Sequence, residues 1–438
     1  MRKKIYLLFT FFIGVWSLTA QVYPTLKVVG PELRKVDGSE VVLKGVNYNL
    51  LDDGAIYLTQ NAQTYMNYID QVALTGSNSI RIPWFTNKFN HWRKDYPNTG
   101  TPQSALDGGQ LSNLIGYCYT KGLIPILELH DYTCDNNWTN FSNEITNWWL
   151  QPSVLNLINS HKEYLIINIA NEFGKVRWTN NQTQSLNTFK THYQALITSL
   201  RSAGVDVPIM IDAPDCGQSS TELLSIADDL LIADPQSNLI FSAHTYWYGY
   251  AGNVNSVDAK INEIVAADVC FVFGEVSNRQ DVTGNPADGV YNLDAVYKRV
   301  LLKACENRIG RLVWAFNHDW HTDREMSPTS NVNNLTPFGN DVLYNPVYGF
   351  INGSCETILN TEELAIDLKI YPNPTSDFLY TNLNFHVNKI IIYNEAGKVV
   401  KTLDEGFDKI DLTLFNSGIY YLNIYTSTNV ITHAVVKK

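Results

Sequence analysis

Positive charge is scarce in this chain: 32 lysines and arginines face 43 aspartates and glutamates, for a net charge of −11. Nothing supplies the basic surface that a phosphate backbone requires, so nucleic acid is excluded as a partner. Cysteine is also sparse, with six residues and no CxxC pair. The spacing of a structural zinc site is therefore missing, and neither a metal nor a cofactor is expected. Past residue 20 no apolar run is long enough to cross a bilayer. One shorter run, residues 5–18, follows Arg2, Lys3 and Lys4 and precedes the small residue Ala20. This is the layout of an export signal, so residues 1–20 are expected to be removed. Cleavage after Ala20 takes away three positive charges and no acids, and −11 becomes −14. Export permits disulfides, but Cys118, Cys134, Cys216, Cys270, Cys305 and Cys355 allow too many pairings to choose among.

What the chain does have is a series of short apolar runs. They fall at residues 41–48, 78–84, 122–131, 165–172, 207–212, 239–246, 270–275 and 311–316. Helical periodicity separates several of them, as at residues 65–74, 111–119 and 186–203. Continuous apolar strands alternating with helices predict an α/β fold, a (β/α)8 TIM barrel closed near Phe350. Two of the runs end in glutamate, Glu172 and Glu275. Glutamate is rarely buried unless paired, and barrel chemistry sits where strands end, so these two are candidate catalytic carboxyls. Arg81, His130, Asn171, His244, Tyr246 and Trp314 fall at the same ends. The loops at residues 86–109 and 277–291 are expected to wall a cleft on that side.

Composition shifts after Cys355. The spacing predicts a barrel domain over residues 21–356, a linker over 357–367 and a small all-β sandwich over 368–438. Within the last region, Asn394, Glu395, Ala396 and Gly397 read as a hairpin turn.

The motif at the strand ends resembles glycoside hydrolase family 5. Asn171-Glu172, Glu275, Arg81, His130, His244-Thr245-Tyr246 and Trp314 match its functional positions across roughly residues 22–350. The resemblance implies a retaining hydrolase with Glu172 as acid/base and Glu275 as nucleophile. It implies that Arg81 and Tyr246 hydrogen-bond Glu275, Asn171 binds the sugar 2-hydroxyl, His130 and His244 position hydroxyls or hold the carboxyl network, and Trp314 stacks under the ring. Residues 127–131, 167–172 and 241–246 look most like the bacterial endo-β-1,4-mannanase branch. Trp247 stands where that branch has Glu, Thr245 where it has Met, Val276 where it has Phe and Phe316 where it has Trp. An endo-β-1,4-glucanase on the same barrel is the alternative, and a non-catalytic glycan-binding protein is a third reading. Trp84, Trp138, Trp178, Trp247 and Trp320 are candidate sugar platforms, against plain core packing. Residues 317–323, with His318 and His321, read as a cleft wall rather than a metal cluster. Cys134 and Cys216 follow strands three and five, so a bridge between them is expected to stiffen the cleft.

The C-terminal region resembles the sorting domain of type IX secretion substrates. Residues 371–375, 394–398, 418–421 and 435–438 carry the likeness; a carbohydrate-binding sandwich is the competing reading. The resemblances imply a secreted or cell-surface monomer acting on β-mannan or a related β-1,4-linked polysaccharide, with the secretion machinery as its second partner.

Overall fold

The computed structural model describes residues 21–50, 62–86, 101–282, 289–319, 322–355, 369–382, 387–395, 397–425 and 430–438. The chain divides into two compact units at residues 357 and 358.

The first unit is a closed barrel of eight parallel strands: β1 (Lys44–Asn47), β2 (Ser79–Trp84), β3 (Ile124–Leu129), β4 (Ile166–Asn168), β5 (Ile209–Asp212), β6 (Leu239–His244), β7 (Phe271–Val276) and β8 (Gly310–Val313). The ring closes where β8 pairs with β1, Arg311 opposite Lys44. Strands β2 to β8 are buried at every residue, which is why they read as unbroken apolar runs. Alternate residues of a strand point to opposite faces. Ile126, Ile166, Met210, Ile240, Val272 and Leu312 form one apolar cluster with Leu26, Val28 and Leu33. Those last three come from a small antiparallel sheet, Lys27–Val29, Glu32–Arg34 and Glu40–Val41, packed against the same cluster. Two residues further along several strands the character changes to polar: Glu128 follows Ile126, Asn168 follows Ile166, and Asp212 follows Met210, all fully buried. A barrel interior that turns from oil to charge toward the strand C-termini prepares a site at that end.

Several strands are shorter than expected, the sixth ending at His244 and the eighth at Val313, and two assignments differ more. The run at residues 41–48 is not one strand. Val41 pairs antiparallel with Leu33, and the chain then turns into β1. Asn78 holds the corner: its Nδ2 donates to Val42 O (2.8 Å) and its Oδ1 accepts from Lys44 N (2.7 Å). The fourth strand stops at Asn168 rather than running to residue 172. Glu172 has a φ of 53°, outside the extended region, so the chain has already left the sheet when it delivers the carboxyl.

The loop expected at residues 86–109 contains the helix Pro102–Asp107; residues 87–100 lie outside the described part. The loop at 277–291 includes an antiparallel pair, Arg279–Asp281 with Val290–Asn292. The second unit has a three-stranded and a four-stranded antiparallel sheet sharing one core of Leu379, Ile390, Ile410, Leu422, Ile424 and Val435.

Candidate active site

The polar end of the barrel is organised by Arg81, which is fully buried. Its Nε donates to Asn168 Oδ1 (2.8 Å), Nη1 to Asn47 Oδ1 and Glu275 Oε1 (both 2.9 Å), and Nη2 to Asn171 Oδ1 (2.8 Å) and Asp212 Oδ2 (3.2 Å). Glu128 Oε2 lies 3.7 Å from Nη1. Burial works against the guanidinium charge, but Glu128, Asp212 and Glu275 outweigh it and raise its pKa.

Glu275 sits near the C-terminal end of β7 and is held from two sides. Arg81 donates to one oxygen, and Tyr246 Oη donates to the other at 2.7 Å. The Tyr246 hydroxyl is itself pushed far above its ordinary range, first by burial and then by the Glu275 charge.

Glu172 occupies a different environment. Its Oε1 meets His244 Nδ1 at 2.7 Å, and Cys134 Sγ lies 3.2 Å from its Oε2. Burial raises its pKa, the His244 contact pulls the other way, and the Glu275 charge adds to the rise. One oxygen of Glu172, one of Glu275 and a nitrogen of His244 all lie within 4.8 Å of one another.

His244 is the cation between the carboxyls. It approaches Glu275 Oε1 at 3.5 Å and, through Nε2, Asp212 Oδ2 at 3.4 Å. Burial lowers its proton affinity, but Glu275 and Asp212 reverse this and lift its pKa to about 10. The ring is clamped by two glycines. A Cβ on Gly274 would lie 2.9 Å from His244 Nε2, and one on Gly217 would lie 2.7 Å from Cγ. Both positions need the missing side chain, and Gly217 also has a φ of +75°.

His130 and Trp314 stack at 5.7 Å with an interplanar angle of 11°. Glu128 Oε2 meets His130 Nδ1 at 2.9 Å, and Trp314 Nε1 donates to Asp319 Oδ2 at 2.6 Å. Asp319 is fixed in turn by Arg324, which also faces Asp281 at 3.5 Å. Asn171 is engaged at both ends of its amide, with Nδ2 donating to Thr133 Oγ1 at 2.9 Å.

These groups floor a cavity of about 900 Å³ lined by Glu172, Glu275, His130, Trp314, Trp178 and Tyr248 among others. The cleft brings together His130, Asn171, Glu172, Tyr246, Glu275 and Trp314, with Arg81 and His244 directly beneath. Trp247 is turned away from it. Its ring meets Phe273 edge-on and its Nε1 donates to Gln218 O. Trp84 is fully buried, and Trp138 packs among Phe141, Phe173 and His192. Trp178 remains 53% exposed at the rim. Trp320 lies outside the described residues. Sequence reasoning did not single out Asn47, Glu128, Asn168 and Asp212. Their signal was available, since each is a polar residue inside or ending an apolar strand.

Among the described residues two sets of side chains could gather a metal ion, Glu172 with His244 and Glu275, and Cys134 with Glu172 and Cys216. In the first, His244 Nδ1 is already committed to Glu172. In the second, the two sulfurs are bonded to each other, with Cα atoms 4.6 Å apart, so neither is a thiolate. That bridge is the one expected from strand order. A second, Cys305–Cys355, was not anticipated, and Cys118 and Cys270 are free and buried.

Residues 369–438 match the secretion system C-terminal sorting domain. Over 332 residues the chain is 26% identical to a mannan endo-1,4-beta-mannosidase of Cellvibrio japonicus, covering 75% of this chain and 67% of that protein. It is 25% identical to a mannan endo-1,4-beta-mannosidase of Salipaludibacillus agaradhaerens over 320 residues, 72% of this chain and 90% of the other. Among solved structures, the β-mannanase from Thermomonospora fusca shares the fold with a TM-score of 0.58 at 24% identity, covering 76% of this chain and 97% of that one. A cellulase family model accounts for residues 35–319, well over half the chain, and on that match this protein belongs to glycosyl hydrolase family 5.

Proposed function

We propose that this glycoside hydrolase is an exported endo-β-1,4-mannanase that cleaves mannan or glucomannan by double displacement with retention of configuration. The observation that carries this reading is the pair of unlike carboxyls on the cleft floor. Glu275 is ion-paired to Arg81 and hydrogen-bonded by Tyr246, whereas burial favours the protonated form of Glu172. Two carboxyls whose environments differ in this way divide into an anion and an acid. In the first step Glu275 attacks the anomeric carbon while Glu172 gives its proton to the departing glycosidic oxygen. In the second, Glu172 takes a proton from water as that water displaces Glu275 from the glycosyl-enzyme. Carboxyl oxygens within 4.8 Å of one another support retention, because an inverting pair stands about 6.5–9.5 Å apart to admit a water. Asn171 faces the sugar 2-hydroxyl in this reading, and the stacked Trp314–His130 pair supports the ring at the reacting subsite.

The choice of mannan rests on the two relatives named above, both mannan endo-1,4-beta-mannosidases. The chain is parsed as a leader at residues 1–20, a catalytic domain at 21–356, a linker at 357–367 and a sorting domain at 368–438, and it acts as a monomer. The deciding experiment is reducing-sugar release from mannan, glucomannan, carboxymethylcellulose and xylan, with product anomers followed by NMR. Faster release from mannan or glucomannan, with retained anomers, is expected. Activity on carboxymethylcellulose with none on pure mannan would overturn the substrate, and inverted product would overturn the mechanism.

A further inference from the structure

The backbone around Glu172 is held in an uncommon conformation. Tyr132, Cys134, Glu172, Asp215 and Cys216 have φ values of 63°, 58°, 53°, 58° and 54°, and Gly217 follows at 75°. Non-glycine residues adopt this region only against a steric cost, so the surroundings must impose it. Asp215 supplies part of the constraint. Its Oδ1 accepts from Val176 N at 2.8 Å and its Oδ2 from Ser219 Oγ at 2.5 Å, and its own N–H donates to Gly174 O at 2.8 Å. The Cys134–Cys216 bridge adds to the constraint, joining the loop after β3 to the loop after β5 across the loop that carries Glu172. Both cysteines line the cleft. The residue after Cys216, Gly217, accepts the His244 backbone N–H at 2.8 Å, so the same loop seats the imidazole.

The two oxygens of Glu172 therefore see unlike partners. Oε1 faces His244 from β6. Oε2 faces Cys134 Sγ at 3.2 Å, and a bridged sulfur has no proton to give. Among the described residues no other donor is recorded at Oε2. The other charged and titratable groups turned toward this carboxyl are Glu275 from β7, His130 after β3 and Tyr246 after β6, while Asp212 from β5 accepts the Glu172 backbone N–H at 3.4 Å.

We propose that the Cys134–Cys216 bridge is a positioning element for Glu172: it walls Oε2 with a surface that offers no proton, so that His244 at Oε1 is not joined by a second donor and the carboxyl stays a proton donor. This inference rests on the reading of Glu172 as the acid/base. A hydroxyl in place of the sulfur would donate to Oε2 and favour the carboxylate, whereas an apolar side chain would not.

The test is the pH profile of kcat/KM on an aryl mannoside for Cys134→Ser/Cys216→Ser, Cys134→Ala/Cys216→Ala and Cys305→Ser/Cys355→Ser. The serine pair should move the alkaline limb to lower pH by about one unit. The alanine pair, which offers Oε2 no donor, should move it less than the serine pair does. Breaking the Cys305–Cys355 bridge, whose cysteines do not line the cleft, should leave the limb in place. A uniform fall in rate with the limb unmoved, or a shift to higher pH, would overturn the proposal. Glu172→Gln run alongside separates the two readings. Persistence of the alkaline limb there would refute Glu172 as the acid, whereas its loss together with unmoved limbs in the cysteine variants would refute only the role of the bridge. If the Cys134/Cys216 variants do not fold, folded Cys305→Ser/Cys355→Ser enzyme can be reduced by a dithiol, which delivers two electrons and two protons to give two thiols. Because S–H is a weak donor, the limb should again move down and return on reoxidation; a limb unchanged by reduction would overturn the proposal.

Discussion

Replacing Asp212 by asparagine probes the buried charge network without changing its shape. Asp212 Oδ2 stands 3.2 Å from Arg81 Nη2 and 3.4 Å from His244 Nε2, with no exposure to solvent. Two unit charges at that separation, in an effective dielectric of about 20, interact by roughly 5 kcal/mol. Histidine 244 is flanked by Glu172, Asp212 and Glu275 at 2.7, 3.4 and 3.5 Å, so Asp212 is one of three comparable contributors. The lift of His244 from 6.5 to about 10 corresponds to on the order of 5 kcal/mol of proton-linked stability. The sign follows from the raised folded-state value. The stabilisation is full below pH 6.5, where both states hold the proton, and is lost as pH climbs to about 10. Asp212→Asn should bring the upper edge of that window down by about one to two units. Thermal unfolding from pH 5 to 10 should therefore show the variant losing stability earlier on the alkaline side than the parent. NMR titration of the His244 ring should report the same shift directly. Superimposable stability profiles above pH 7, or an unmoved ring titration, would refute the reasoning.

Two further perturbations separate chemistry from scaffolding. Tyr246→Phe removes the 2.7 Å hydrogen bond to Glu275, a neutral-to-charged contact worth about 1.5–3 kcal/mol, so kcat/KM should fall by roughly 10- to 150-fold in steady-state assays while circular dichroism stays unchanged. Deleting residues 358–438 removes a unit with its own core, so hydrolysis and melting temperature of the barrel should persist in vitro while the protein fails to reach the cell surface or medium in fractionation.

Much of the barrel was legible because its strands are buried on both faces and so betray themselves as apolar runs. The carboxyls were legible because a glutamate closing such a run, as at Glu275, has no cheap explanation. Asp212 and Glu128 were passed over because nothing in a linear reading says that an acid inside a strand meets an arginine from β2. Trp247 illustrates the opposite difficulty. It directly follows the His244-Thr245-Tyr246 segment, yet its ring settles on Phe273, since β6 ends at His244 and the chain turns at Trp247 into the 3-10 helix Tyr248–Tyr250. The early end of β4 was hidden because the backbone change at Glu172 comes from contacts across the cleft and not from a local turn residue.

The pairing of β8 with β1 also bears on how the barrel is made. Lys44 and Arg311 become neighbours only after nearly the whole first unit has been synthesised. Until then β1 and the last strand available each present a row of unsatisfied backbone donors and acceptors, the geometry that recruits strands from other chains. Loop closure over such a span is slow relative to local helix formation. A chain interrupted before residue 310 keeps both edges open for good, so nascent and truncated forms carry the aggregation hazard and the closed ring does not. Folding of this enzyme is accordingly most vulnerable late, at the moment its two ends must find each other.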